Sequence, residues 1–326
     1  MAERKLTFTK ALNEALHQAM EKDPAVFVLG EDVAKMGGDF GVTQGIWHRW
    51  PERAYDTALS ESAIIGLSAF SGVCGLRPVA ELMFADFAGV CFDQLVNNAA
   101  KLRFMYNGEA GAQMVVRAVT GSGIRCAYHH SQCVEPWFMN VPGLVIVAPS
   151  SPYEAKGLLM SAIRDNNPIL FLEHKILYSM KGDVPEEPYE LPLYKCHIEQ
   201  EGKHLTMVAT MAMMGMAKKA AAELKKEGVE VEIINPRTLF PLDKETIKNS
   251  VAKTGRLVII QEGPKFMGAG AEIGAMVAED IFEYLAAPIA RVTSLDVPVA
   301  FSPGLEDYIS PKLDHTLAAC RATLAY

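Results

Sequence analysis

Four short stretches of this 326-residue chain carry side chains able to do chemistry. The first is Ser60-Glu61-Ser62, directly ahead of the apolar Ala63-Ile64-Ile65. Ser60 reads as a helix cap and Glu61 as an acid at the helix's positive end. The same placement would hold a carboxyl against apolar neighbours, where desolvation raises its proton affinity. The second is Gly121-Ser122-Gly123 followed by Tyr128-His129-His130-Ser131-Gln132-Cys133. Paired histidines suggest a metal, yet no third ligand stands at a suitable spacing. Cys133 with His130 suggests a thiol nucleophile, yet nothing in the sequence orients such a pair. Taken alone His130 reads as structural, but the glycine-rich loop ahead of it lets backbone approach a ligand closely. If the segment is extended, His129 and His130 point to opposite sides. The third stretch holds Met83, Phe84 and Phe87. As a bare pattern these are core. As a pocket they would hold a flat heteroaromatic ring, Met83 by sulfur contact and Phe87 by stacking. The fourth is Gly268-Ala269-Gly270-Ala271-Glu272-Ile273-Gly274. Its spacing is one residue too long for a dinucleotide fingerprint, so close helix packing is expected.

The elements around these stretches alternate. Ala11, Leu12, Ala15, Leu16, Ala19 and Met20 form a helical stripe ended by Asp23-Pro24. Strands are expected at 26–29, 78–83, 114–119, 144–148 and 169–172. Helices are expected at 62–75, 87–104 and 152–165, and the glycines from Gly37 to Gly45 mark a long loop. Apolar strands alternating with helices predict a parallel sheet covered on both faces. The polar, proline-rich run from Lys181 to Pro192 then marks a boundary near 180–200. Beyond it, strands at 205–209, 231–235, 257–261 and 290–294 alternate with helices at 217–226 and 244–254. The fold class is therefore α/β, with two parallel-sheet domains at 1–185 and 200–326.

Half of the residues are hydrophobic and the formal net charge is -8, which argues against nucleic acid as a partner. No apolar run is long enough for a membrane helix. The opening Met1-Ala2-Glu3-Arg4-Lys5 has no leader character. Six scattered cysteines with no C-x-x-C pair are expected to be reduced thiols. A cytoplasmic protein is the expectation.

Several stretches resemble one family, the β subunits of the thiamine-diphosphate-dependent dehydrogenase component of 2-oxo acid dehydrogenase complexes. They are Val28-Leu29-Gly30-Glu31-Asp32, Asp56-Thr57 with Ser60-Glu61, Gly75-Leu76-Arg77-Pro78, His130-Ser131-Gln132, 155–158, 161–168 and Pro236-Arg237-Thr238-Leu239. The similarity runs from about residue 4 to 312. Glu81 to Phe87 and Phe171 to Lys175 look closest to acetoin dehydrogenase β subunits.

The resemblance implies a pyrimidine-binding domain followed by a transketolase C-terminal-like domain. It implies an α2β2 tetramer, with β–β contact through both domains and thiamine diphosphate between α and β. It leaves Mg²⁺ mainly to the α subunit, which fits the lack of a Gly-Asp-Gly motif here. It places Glu61 at the pyrimidine N1′ atom, and Leu59, Met83 and Phe87 around the ring. It places His130 near the entrance of a lipoyl group carried by an acyltransferase. It further implies a structural K⁺ held by Met114, Ala162, Ile163, Asp165 and Asn167. Ala58 stands where the family usually has proline. Substrates in view are acetoin, pyruvate and branched-chain 2-oxo acids. A non-catalytic assembly scaffold is the rival of another class, and retention of Glu61 and His130 argues against it. A stand-alone transketolase-type enzyme is disfavoured by the missing diphosphate motif.

Overall fold

The computed structural model describes residues 4–326; Met1-Ala2-Glu3 lie outside the described residues. The chain divides into two compact units. One runs to Thr120 and takes in Trp137–Leu193; the other joins Gly121–Pro136 to Tyr194–Tyr326.

In the first unit, Thr7 caps the helix Phe8–Lys22 by accepting from the Lys10 amide, and the helix ends at Asp23 before Pro24. Its apolar stripe from Phe8 to Met20 is buried. Six parallel strands follow in the order Val145–Val147, Ile169–His174, Val115–Thr120, Arg77–Leu82, Val26–Gly30 and Ala54–Asp56. The central strands are buried along their whole length, as an apolar strand between two helical layers must be. Part of the run expected to mark the domain boundary forms a strand. Lys181–Asp183 pairs antiparallel with Lys5–Thr7. The single helix expected at 87–104 is broken into a 3₁₀ turn at Ala85–Gly89, a π-helical turn at Gln94–Ala99 and an α-helix at Ala100–Met105. The Asp93 carboxylate accepts from Asn97 and Asn98 across the wider turn, which supplies a local alternative to regular helix.

The core of this sheet is charged at one place. Parallel register sets Glu81 beside Arg117. Arg117 donates from Nε and Nη2 to both oxygens of Glu173, each at 2.7 Å, and from Nη1 to Glu81 at 2.5 Å. The Tyr178 hydroxyl donates to Glu173 at 2.7 Å. All four groups are buried. Burial pushes Glu81 above the usual carboxylate range, and Arg117 opposes that shift. Arg117→Met would leave two buried carboxylates facing each other. It should cost about 3–5 kcal/mol, the usual penalty for breaking a buried pair from one side. Denaturant unfolding measures this, and a loss below about 1 kcal/mol would show that the network relaxes freely.

In the second unit, Ala290–Ser294, Leu257–Pro264, Leu205–Ala209 and Val231–Asn235 form a parallel sheet in that order. His197–Gln200 adds an antiparallel edge strand with alternating burial, so this sheet is mixed rather than wholly parallel. Met213–Lys226 packs its buried methionines, alanines and Leu224 on one face of the sheet. Lys244–Thr254 and Ala269–Asp280 cover the other. The Gly268–Gly274 stretch is a packing device. The Gly270 amide donates to Gln261 Oε1 at 2.5 Å, and a Cβ on Gly268 would lie 1.9 Å from Gln261 Nε2.

Candidate active site

The chemistry-bearing residues of the first unit stand just past the carboxyl ends of its parallel strands. That edge is where open α/β sheets take ligands, because the loops there are free to vary. Glu31 follows Val26–Gly30, Glu61 follows Ala54–Asp56 by a short loop, and Met83 follows Arg77–Leu82. Thr57 donates its amide to the Gly30 carbonyl at 2.9 Å, and Asp56 Oδ1 accepts the Ala34 amide at 2.7 Å. These bonds lash the two loops together.

Glu61 is the first residue of the helix Glu61–Val73 and is half-buried. Ser60, expected as its cap, makes no capping hydrogen bond. The helix start is instead tied to the segment after Met83: Ser62 Oγ donates to the Val90 carbonyl at 2.9 Å. Two neighbours register the Glu61 charge. Glu31 is raised by burial first, then by Glu61. Cys91 is pushed up to about 12, again by burial first and Glu61 second. Glu61 thus shares a site with Glu31 and Cys91, and Ser62 ties its helix to Val90.

Met83 and Phe87 are half-buried. Phe87 meets Phe84 edge-on at 6.1 Å, Phe84 meets Phe40 at 6.0 Å, and Phe40 lies 4.9 Å from Tyr178. This aromatic chain links the Met83–Phe87 segment to the buried Arg117 network. The glycine loop crosses the same network. Gly38 has φ +76, and a Cβ there would lie 2.9 Å from Glu81 Oε1. Leu59 is 83% exposed, so the first unit's own core does not cover it.

The residues expected around a cation gather at the end of the helix Pro152–Arg164. The Ala162 carbonyl accepts the Asp165 amide at 3.3 Å, and Asp165 Oδ1 accepts both the amide and the side-chain Nδ2 of Asn167. Met114 joins them at one remove, its carbonyl accepting the Ile169 amide. Arg77 is the residue that sequence reasoning missed here. Its guanidinium donates to the carbonyls of Ile163 at 2.9 Å and Asp165 at 3.1 Å. An arginine two residues past the Gly75 turn was the available signal.

His130 lies in the segment Gly121–Pro136, which belongs to the second unit. Tyr128–His130 is a 3₁₀ turn, not an extended stretch, so the expectation of opposite-facing histidines fails. The rings of His129 and His130 approach to 4.3 Å. His130 Nδ1 lies 2.5 Å from the His129 carbonyl. A carbonyl only accepts, so Nδ1 carries the hydrogen and the ring's orientation is set. The described residues contain no cluster of three or more histidine, cysteine or acidic side chains able to hold a metal.

Comparison with known proteins agrees with this architecture. Residues 4–181 match the transketolase pyrimidine-binding domain and residues 194–315 the transketolase C-terminal domain. A split-gene transketolase, described as an inactive β4 tetramer, superposes with a TM-score of 0.77 over 98% of both chains at 23% identity, which speaks for the fold. Two transketolase modules in series define the class, and thiamine diphosphate is its cofactor. The β subunit of the acetoin:2,6-dichlorophenolindophenol oxidoreductase of Cupriavidus necator is 46% identical over 98% of each chain. That of Bacillus subtilis is 44% identical over 95% of each, and the 2-oxoisovalerate dehydrogenase β subunit of Bacillus subtilis is 40% identical over 97% of this chain and 98% of the other. The chain belongs to the family of β subunits of acetoin and 2-oxo acid dehydrogenases.

Proposed function

We propose that this chain is the β half of an α2β2 dehydrogenase that cleaves acetoin and passes the acyl group to a lipoyl domain. The observation that carries this is Glu61, set at a helix start and lashed by Ser62 to the Met83–Val90 segment. A carboxyl beside half-buried sulfur and aromatic walls fits an aminopyrimidine. Glu61 would hold a proton at the ring N1′ atom, with Met83 and Phe87 against the ring and Leu59 closing over it once a partner covers that loop. Thiamine diphosphate, when bound, supplies the carbanion chemistry. The chain contains no Gly-Asp-Gly, so the diphosphate and its Mg²⁺ are left to an α subunit.

Exposed apolar side chains support a partner. Leu67 and Phe70 stand out from the helix Glu61–Val73, and Phe104 is 90% exposed with Met105 beside it. A helix apolar on its outer face is covered in the functional assembly. No helix among the described residues is long and apolar enough to cross a membrane. All six cysteines are free, which supports a reducing, cytoplasmic setting.

Co-expression with candidate α subunits tests the reading. Dye reduction should be fastest with acetoin, ahead of pyruvate and branched-chain 2-oxo acids. Preference for a 2-oxo acid would move the chain to the other branch, and no turnover with any pair would favour a scaffold.

The carbonyls of Met114, Ala162, Ile163 and Asn167, with the Asp165 carboxylate, also suit a hard monovalent cation. We propose that K⁺ binds there beside the Arg77 guanidinium. Replacing potassium by choline at constant ionic strength should lower Tm by about 2–4 °C, equivalent to roughly 1 kcal/mol in a chain of this size. An unchanged Tm would mean that no cation joins Arg77 there.

A further inference from the structure

His130, which the resemblance places near the lipoyl entrance, sits on a loop whose shape is not one its own residues favour. The Gly121 amide donates to the Gln132 carbonyl at 3.3 Å and closes a twelve-residue loop. Inside it, Arg125 and Ala127 have φ of 65° and 60°, a region that costs any residue with a Cβ. Ala127 pairs that φ with ψ of −167°, a combination essentially reserved for glycine. Such a backbone persists only when its surroundings over-determine it.

The surroundings here are two glutamates from distant parts of the sequence. Glu262, on the strand Leu257–Pro264, accepts the Ser122 amide at 2.5 Å. Glu306, on the short helix Pro303–Ile309, accepts the Gly123 amide at 2.5 Å with Oε1. Its other oxygen accepts from Arg125 Nη1 at 3.0 Å. Arg125 also reaches Asp307 at 2.8 Å and the Pro303 carbonyl at 3.3 Å. The Glu306 side chain is 1% exposed, whereas Arg125 is about one-third exposed. A buried carboxylate requires such donors, and a backbone amide bonded to a charged acceptor is held about twice as strongly as one bonded to a neutral group.

We propose that Glu306 and Glu262 are positioning residues that clamp the Gly121–Gln132 loop and so fix where His130 stands. Neither touches the reacting atoms. Glu306 grips the loop twice, at the Gly123 amide and at the Arg125 side chain, on either side of Ile124. The strained stretch at 125–127 then runs directly into the 3₁₀ turn that carries His130. A proton donor misplaced by about 1 Å loses up to 10²-fold in rate, so the clamp bears on chemistry it does not perform. The catalytic half of this proposal rests on reading His130 as the proton donor to the lipoyl group; the clamp itself does not.

The test uses the assembled enzyme with its α subunit and an isolated lipoyl domain. Hydrogen exchange at the Gly123 amide should rise about tenfold in Glu306→Ala, since a hydrogen bond to a charged group is lost. Reductive acylation of the lipoyl domain should fall about tenfold or more, while reduction of an artificial dye stays within about threefold. Glu306→Gln retains an oxygen for the Gly123 amide and should restore most of the acylation rate. Should Glu306→Ala fail to fold, Arg125→Gln at the exposed side of the clamp should shift the same two readouts in the same direction by a smaller factor. Unchanged exchange at Gly123, or an equal fall in both reactions, would overturn the proposal. Wild-type acylation in His130→Ala would overturn the role of His130 instead, and the exchange measurement would still decide the clamp.

Discussion

Glu61→Gln in the assembled enzyme should abolish proton exchange at C2 of the cofactor, by at least about 10²-fold, the lower range for one acid–base group. Glutamine keeps the shape of the side chain and can still accept a hydrogen bond. It cannot hold a proton for the pyrimidine nitrogen or release one. Assembly should survive. The backbone at the helix start, and the bond from Ser62 to the Val90 carbonyl, do not depend on the charge of residue 61. Sedimentation of the mixed subunits checks assembly, and quenched NMR of the cofactor checks exchange. The substitution also has a local electrostatic consequence. Glu31 is raised partly by the Glu61 charge, so its proton affinity should fall when that charge is removed, leaving burial as the main cause of elevation. Near-normal C2 exchange in the variant would take Glu61 out of the proton path.

What the sequence made legible follows from where local pattern decides structure. Apolar strands alternating with helices show plainly in a chain whose parallel sheets are buried on both faces, and the strands from Val26 to Ala290 fall close to where their apolar runs lie. The Pro-rich run did not announce that Lys181–Asp183 would pair with Lys5–Thr7, because a short exposed strand is defined by its partner and not by its own residues. The π-helical turn at Gln94–Ala99 coincides with Asp93 accepting from Asn98 five residues on, a side-chain pairing invisible to apolar periodicity.

The candidate site was readable in part for the same reason. Ser60-Glu61 before an apolar helix and Met83 with Phe87 at a strand end are local signals. The resemblance turned them into a cofactor reading. The groups that hold the site were not readable. Glu81, Arg117, Glu173 and Tyr178 come from three strands and the turn after the third, and only register brings them together. A charged residue inside each of three apolar strands was the one available clue, since buried charges come paired. Glu262 and Glu306 lie some 140 and 180 residues beyond the Ser122 and Gly123 amides they grip, a distance across which no spacing argument reaches.

His130→Ala should separate two half-reactions that Glu61→Gln stops together. Glu61 is proposed to act on the cofactor, upstream of any acceptor. His130 is proposed to meet the lipoyl group, donating a proton to a sulfur as the dithiolane S–S bond opens. An artificial dye needs no such proton. Reductive acylation of an isolated lipoyl domain should therefore fall by about 10²–10⁴-fold, the range for one general acid, while dye reduction falls far less. The geometry refines what to expect of the neighbouring histidine. His130 Nδ1 is held by the main-chain carbonyl of His129, which survives substitution of the His129 side chain. The two rings nevertheless touch edge-on at 4.3 Å, so His129 is not a bystander on the opposite side of an extended strand. His129→Ala should remove a packing surface and keep the orienting bond. Its effect on acylation should be about tenfold or less, in line with an edge-on aromatic contact of roughly 0.5–1.5 kcal/mol. Parallel assays of both variants, with dye and with lipoyl domain, decide the assignment. Equal losses in the two assays for His130→Ala would make it a structural residue of the loop. A larger loss for His129→Ala would transfer the proton-donating role to the neighbouring ring.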